Sequence, residues 1–332
     1  MEKLRIVFMG TPDFAVGILD TIYNSNYEIA GVITAPDKPA GRGQKVSISA
    51  VKAYALAKNL QLLQPTNLKS PDFLSELENL QANLQVVVAF RMLPEVVWKI
   101  PTKGTINLHT SLLPNYRGAA PINRVLINGE KETGISIFFI DQNIDSGAII
   151  QQEKIQLTDT ITAAQLHEKL VSKGNNLLIS TLNAIKNDSA VQIPQKASKA
   201  ILEAPKLTKE LLQINWKKSA IDIHNLVRGL SPFLANNIML KDVAICPSAW
   251  FYLEDNMSNQ KRIKLHLTEV IKSESKDLWG IKTDNKTYLH INTKKDAIAI
   301  LNLQVEGKNP MTIQQFLQGN KITEQHKIVC LN

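Results

Sequence analysis

Three polar residues near the middle of the chain carry side chains that suit transfer of a carbonyl group to an amine. Asn107 and His109 lie two residues apart on a predicted strand, so their side chains share one face. Asp145 follows the next apolar strand, in a loop that can bring a carboxylate back toward the imidazole. The amide and a protonated imidazole can hold a carbonyl oxygen as it gains charge. The carboxylate can orient the imidazole and help to move the proton that the amine loses.

Structural roles account for the same three residues at this stage. A lone histidine at a strand end is more often a structural residue, Asn107 could cap a turn, and Asp145 before Ser-Gly could form an Asx turn. The position of Ser111, two residues after His109, does not by itself suggest a Ser–His pair. His109 has no second histidine at ligand spacing, so no metal is expected.

The elements that must position these side chains alternate between strands and helices. Apolar runs such as Leu4–Met9 and Ile29–Thr34 are separated by Asp13–Tyr23, which has helical spacing. Leu84–Phe90 is apolar almost throughout, as expected of a parallel strand that is buried on both faces. The alternation predicts an α/β fold with a Rossmann-like, doubly wound sheet. Such sheets bind ligands at the carboxyl ends of their strands, which is where Asn107 and His109 are predicted to lie.

The C-terminal part of the chain has a different pattern. After Pro247, about five short, partly alternating segments are separated by Lys and Asp/Asn turns, which predicts a small antiparallel β-barrel of the OB-like kind. An Ala-, Lys- and Pro-rich stretch precedes it and interrupts the helical pattern. We therefore predict a catalytic domain over 1–189, a linker over 190–208 and a barrel domain over 209–332.

Composition restricts the class of protein and its partners. The 332 residues carry a net charge of +8. Residues 1–205 hold 20 basic and 18 acidic residues, whereas residues 206–332 hold 18 and 12. This bias suits either solubility or a nucleic-acid partner. No apolar run approaches the roughly 18–20 residues of a membrane span, and no signal-peptide layout is present. Cys246 and Cys330 can form at most one bond, so we expect a cytoplasmic protein without a membrane partner.

Longer motifs around these residues resemble one family closely. The motifs are Phe8–Ala15 (FMGTPDFA), Thr34–Gly43 (TAPDKPAGRG), Asn107–Pro114 (NLHTSLLP), Tyr116–Ile122 (YRGAAPI), Asp145–Gly147 (DSG), Lys206–Glu210 (KLTKE) and Asn215-Trp216. In these motifs, and over nearly its full length, the sequence resembles the methionyl-tRNA formyltransferases of the folate-dependent formyltransferase superfamily.

The resemblance implies a reaction and a set of site residues. It implies transfer of a formyl group from 10-formyltetrahydrofolate to the α-amino group of methionine on initiator methionyl-tRNA, by a protein that we expect to be a monomer. The family's catalytic residues fall on Asn107, His109 and Asp145. Its folate segment falls on Ser111, Leu112, Leu113 and Pro114, and its tRNA contacts fall on Arg42, Lys206 and Lys209.

Three other functions are weighed against this one. The first is formyl transfer to another amine, either an amino-sugar nucleotide or glycinamide ribonucleotide, although a separate basic domain argues against the latter. The second is a nucleotide-binding oxidoreductase, but Met9-Gly10-Thr11-Pro12-Asp13 lacks the G-x-G-x-x-G pattern that lets a pyrophosphate approach. The third is a non-catalytic RNA-binding protein, which would leave the three candidate residues without a role.

Overall fold

The chain forms two compact units. The computed structural model describes residues 3–40, 45–196, 201–235, 238–242, 245–275 and 277–329. The first unit comprises Met1–Gly118, Glu132–Ile155 and Glu168–Glu203, and the second comprises Ala119–Lys131, Gln156–His167 and Ala204–Asn332. Each unit is therefore assembled from separate stretches of sequence.

Most elements up to residue 186 alternate between strands and helices, as the sequence pattern predicts. The local sequence explains where two of the helices begin. The Ser49 hydroxyl accepts a hydrogen bond from the backbone amide of Lys52 at 3.0 Å, and Pro71 occupies the first turn of its helix. In chain order the elements are β1 (Arg5–Gly10), α1 (Asp13–Tyr23), β2 (Glu28–Ile33), β3 (Lys38–Ala40), β4 (Lys45–Ser47), α2 (Ala50–Ala57), β5 (Leu62–Leu63), α3 (Pro71–Asn79), β6 (Leu84–Val88), α4 (Glu95–Trp98), β7 (Thr105–His109), β8 (Arg117–Gly118), α5 (Pro121–Ile127), β9 (Glu132–Phe139), β10 (Ile149–Gln156) and α6 (Ala163–Lys186).

The first unit is built on a seven-stranded sheet of order β10-β9-β7-β6-β1-β2-β5. Strands β5, β2, β1, β6 and β7 are parallel. Val7 and Val87 pack with Phe73 of α3 on one face, while Gly174 of α6 lies against Leu108 on the other. Helices thus cover both faces, and the predicted doubly wound α/β sheet is confirmed. Strand β9 departs from this pattern because it pairs with β7 in the antiparallel sense.

The second unit contains the predicted antiparallel barrel, which is also confirmed. Its strand order is β14-β15-β16-β13-β12-β18, with β17 paired to β16. The indole of Trp216 lies in its core, with its ring centroid 5.2 Å from that of Phe251. The remaining elements of the chain are β11 (Glu203–Ala204), α7 (Lys209–Leu212), α8 (Ala220–Leu230), β12 (Ala249–Glu254), β13 (Gln260–Ile271), β14 (Ile281–Thr283), β15 (Leu289–Asn292), β16 (Ala297–Val305), β17 (Met311–Thr312), α9 (Ile313–Gly319) and β18 (Lys327–Val329).

Among the helices of the described ranges, none has the length and apolar character needed to cross a bilayer. The predicted domain boundaries at 189/190 and 208/209 stay predictions, since the two compact units divide the chain by a different criterion.

Candidate active site

Strand β7 holds the first two candidate residues at the carboxyl end of the parallel sheet. Asn107 pairs with Val87 of β6 on one side and with Phe138 of β9 on the other, which fixes its register. The side chain of Asn107 is half-buried, and its side-chain amide makes no hydrogen bond within the described part of the chain. His109 lies two residues further on the same face of the strand. The Asn107 amide is therefore available to a ligand.

The imidazole of His109 is held at one nitrogen and faces a carboxylate at the other. His109 is 7% exposed. Its Nε2 atom lies 2.8 Å from the backbone oxygen of Tyr116. A carbonyl oxygen only accepts, so Nε2 carries a hydrogen and Nδ1 is the atom that can gain or lose a proton. Nδ1 lies 3.8 Å from Oδ2 of Asp145, so this nitrogen faces the carboxyl group.

Asp145 reaches this position from the loop between β9 and β10. Its backbone has a φ of +51°, a left-handed conformation that is costly for a residue other than glycine. The amide of Gly118 donates to its Oδ2 at 2.9 Å. Nearby, Gly147 lies so close to β9 that a Cβ atom there would be 1.7 Å from the Phe139 oxygen. The loop thus has a tightly specified path that ends with the carboxylate opposite His109.

The Asx turn of this loop belongs to a different aspartate. The amide of Asn143 donates to Oδ1 of Asp141 at 3.0 Å, and the hydroxyl of Ser146 donates to the same oxygen at 2.7 Å. Asp145 makes neither contact. The structural alternative considered for Asp145 is therefore wrong, and its carboxylate points to His109 and the Gly118 amide instead.

The predicted folate segment is held mainly by contacts within the protein. Ser111 is fully buried and its hydroxyl donates to the Asn115 oxygen at 2.7 Å. Leu113 is buried, and its backbone amide and oxygen bond to Ser136 and Gln152. Only Leu112 and Pro114 have partly exposed side chains. If this segment contacts folate, the contact must come mainly from those two residues.

Two of the three predicted tRNA-contacting residues, Lys206 and Lys209, lie among the described residues. Lys206 and Lys209 are exposed, and Lys209 is the first residue of α7. The guanidinium of Arg124 donates to the backbone oxygen of Lys206 at 3.2 Å, which anchors the chain there without using the lysine ammonium. Arg42 lies outside the described residues.

Sequence reasoning missed the residues that hold the Asp145 loop from outside. The side-chain amide of Gln195 bonds to the backbone oxygens of Asp145 and Gly147, and to the guanidinium of Arg117. Arg117 stands in the YRGAAPI motif, but Gln195 falls in the predicted linker, where no local pattern marks it. In the described ranges, no cluster of three or more His, Cys, Asp or Glu side chains could hold a metal ion.

Comparison with known proteins identifies the family. Residues 4–182 match the family model "Formyl transferase", and residues 206–321 match "Formyl transferase, C-terminal domain". The methionyl-tRNA formyltransferase of Flavobacterium johnsoniae is 49% identical over 328 residues, covering 99% of this chain and 100% of that protein. This chain belongs to the methionyl-tRNA formyltransferase family. The methionyl-tRNA formyltransferase of Bacteroides thetaiotaomicron is 42% identical over 331 residues, covering 98% of this chain and 99% of that protein.

A solved structure shares the fold of this methionyl-tRNA formyltransferase family member. The N-formyltransferase of Helicobacter canadensis, in complex with folinic acid and dTDP-3-aminofucose, has a TM-score of 0.57 and 19% identity. The similarity covers 90% of this chain and 98% of that one. At this identity the similarity concerns the fold alone.

Proposed function

We propose that this chain transfers the formyl group of 10-formyltetrahydrofolate to the α-amino group of methionine on initiator methionyl-tRNA, for translation initiation. The observation that carries the proposal is that His109 faces Asp145 at the carboxyl edge of the sheet, two residues along β7 from Asn107, whose side-chain amide makes no hydrogen bond within the described residues. The full-length similarity to methionyl-tRNA formyltransferases supports the choice of acceptor.

The three residues divide the chemistry between them. The neutral α-amino nitrogen forms a bond to the formyl carbon, and the bond from that carbon to the donor nitrogen breaks. The Asn107 N–H and the protonated His109 stabilise the negative charge that collects on the formyl oxygen. Asp145 stabilises the imidazolium and helps to carry the proton from the amine to the departing nitrogen. The products are N-formylmethionyl-tRNA and tetrahydrofolate, so atoms and charge balance without a metal.

The end of β6 has free groups that suit a pterin. Within the described part of the chain, the backbone amides of Phe90, Arg91 and Met92 make no hydrogen bond. Leu112 and Pro114 offer partly exposed apolar surface. Free backbone hydrogen-bonding groups and apolar side chains are both typical of a small-molecule site. These residues support the proposed folate site, in which Ser111 and Leu113 would serve as the buried base.

We extend the proposal to the tRNA and to the division of the chain. Arg42 is proposed to approach the acceptor end, and the exposed ammonium groups of Lys206 and Lys209 to contact phosphates. Catalysis is assigned to 1–189 and tRNA binding to 209–332, joined by 190–208. We propose that the protein acts as a cytoplasmic monomer, and sedimentation of the purified chain at micromolar concentration tests the monomer.

A formylation assay tests the proposed function directly. Purified chain is incubated with 10-formyltetrahydrofolate and, in parallel, with charged initiator tRNA, charged elongator methionine tRNA and an amino-sugar nucleotide. We expect formylmethionine on the initiator tRNA only, and none without the folate donor. Formylation of the amino sugar with none on tRNA would instead favour the alternative acceptor.

A further inference from the structure

The side chain of Gln195 connects the loop that contains Asp145 to strand β8. Its Nε2 atom donates to the backbone oxygens of Asp145 and Gly147, at 2.9 Å each. Its Oε1 atom accepts from Nη2 of Arg117 at 2.5 Å. A carbonyl cannot donate and a guanidinium cannot accept, so these partners allow only this orientation of the amide. The side chain of Gln195 therefore satisfies three groups at once.

The hydrogen bonds of Gln195 complete a network that connects His109, Asp145 and strand β8. Three consecutive residues of one short segment each reach a different part of it: the Tyr116 oxygen bonds to His109, Arg117 bonds to Gln195, and the Gly118 amide bonds to the Asp145 carboxylate. Gln195 then returns to the backbone of Asp145 itself. The His109 imidazole and the Asp145 carboxylate are therefore both hydrogen-bonded to residues 116–118.

The backbone that carries Gln195 is itself fastened to the sheet. Ile193 and Ile149 exchange both of their backbone hydrogen bonds, at 2.8 Å each. Ile149 is the first residue of β10 and follows directly on the loop that contains Asp145. The strained φ of Asp145 needs surroundings that over-determine it, and the two carbonyl bonds from Gln195 supply such a restraint.

We propose that Gln195 is a positioning residue for formyl transfer, which holds the Asp145 loop so that its carboxylate faces Nδ1 of His109. The inference rests on the proposed function of that site. Gln195 does not touch the reacting groups in this role; it acts through Asp145. A displacement of the carboxylate of about 1 Å can cost up to about a hundredfold in rate.

The test is steady-state kinetics of the full chain with two substitutions. Gln195→Ala removes all three bonds. Gln195→Glu keeps the shape and the acceptor for Arg117 but turns an oxygen toward two carbonyls. For both we expect kcat to fall about 10- to 100-fold, while KM for methionyl-tRNA and for the folate changes less than about threefold. Gln192→Ala, an exposed residue of the same segment, is the matched control and should retain full kcat.

A double-substitution cycle separates positioning from a merely structural role. If Gln195 acts through Asp145, Gln195→Ala should cost less than about threefold in an Asp145→Asn background. The same loss in both backgrounds, or wild-type kcat in Gln195→Ala, would overturn the proposal. If Gln195→Ala alone lowers the melting temperature, the isosteric Gln195→Glu decides the question. Failure of the wild-type chain to formylate methionyl-tRNA would instead reject the proposed function.

Discussion

Two buried histidines, one in each compact unit, have opposite surroundings. His109 at the sheet edge is 7% exposed and His266 in the barrel is 2% exposed. Nδ1 of His109 lies 3.8 Å from a carboxylate, whereas Nδ1 of His266 lies 3.3 Å from the neutral hydroxyl of Ser248. Burial, together with the nearby charge of Lys264, lowers the pKa of His266 to about 4. At neutral pH the barrel histidine is therefore uncharged.

The comparison shows that burial alone does not make a histidine functional. Burial disfavours the imidazolium, and only an opposing charge within a few ångströms compensates for this. His224 illustrates the point again: its Nδ1 faces the Thr268 hydroxyl, its Nε2 faces the backbone oxygen of Asp159, and burial lowers its pKa. Of these three histidines, His109 alone has a carboxylate oxygen within 4 Å of a ring nitrogen among the described residues.

The largest expected effect is a loss of activity on substitution of His109, whereas substitution of His266 should lower only stability. For His109→Ala we expect kcat to fall about 10²- to 10⁴-fold, because the group that stabilises the developing charge is gone, with little change in tRNA binding. For His266→Ala we expect kcat within about twofold of wild type and a loss of about 1–3 kcal/mol in the free energy of unfolding. Formylation kinetics and denaturant unfolding of both variants check this; equal loss of activity in both would break the comparison.

Substitution of the Asp145 carboxylate is a second test of the difference between His109 and His266. Asp145→Asn keeps the shape of the side chain and its acceptor for the Gly118 amide but removes the charge that faces His109. We expect kcat to fall about 10- to 100-fold with KM for the folate nearly unchanged. Single-turnover formylation with saturating substrates measures the loss. If Asp145→Asn retained the wild-type kcat, the carboxylate would not distinguish His109 from the structural residue His266.

A smaller effect on activity is expected at the proposed tRNA contact. For Arg42→Ala we expect KM for charged tRNA to rise about five- to tenfold, since one contact to a charged group is lost, while KM for the folate stays constant. The rise should be smaller at high salt, where phosphate contacts are screened. Initial rates at two salt concentrations test this, with Lys38→Ala as a nearby basic control. Equal loss of folate binding would refute the role of Arg42.

The last prediction concerns stability instead of activity, and it describes how the barrel responds to acid. The folded-state pKa of His266 lies below the ordinary value of 6.5, so between about pH 6.5 and 4 the unfolded chain binds a proton that the folded chain does not. Stability should therefore fall as the pH is lowered through this window, by about 2 kcal/mol between pH 6.5 and 5. Denaturant unfolding of the wild type and His266→Gln at both pH values measures it; an identical pH dependence would contradict the assignment.

The regular elements were the most predictable part of the molecule. The 3.6-residue periodicity predicts a helix over 163–186, and α6 has those bounds. The two-residue period of β7 places Asn107 and His109 on one face, because side chains alternate along a strand. The eight-residue strand β10 and the short strands β17 and β18 were not predicted, and for the short ones the reason is that two or three residues carry too little periodicity.

The loop-borne part of the site was less predictable for a physical reason. The bonds that place Asp145 join residues 27 and 50 positions apart in sequence, from Gly118 and Gln195. Such contacts leave no repeating signal near either partner. The antiparallel pairing of β9 with β7 also depends on how distant segments meet. The roles of Asn107, His109 and Asp145 stay predictions, although the structure places the last two within 4 Å.

The interleaved division of the chain has a consequence for any attempt to dissect it. Helix α5 belongs to the second unit: the Asn123 amide donates to the backbone oxygens of Gly229 and Ile245, and Gly229 fits against Ile127 only because it lacks a side chain. A fragment ending at residue 189 would retain Asn107, His109 and Asp145, but it would lose Gln195 and carry a helix whose natural neighbours had been cut away. Insolubility of such a fragment would reflect that missing cover and would say nothing about the chemistry of the site.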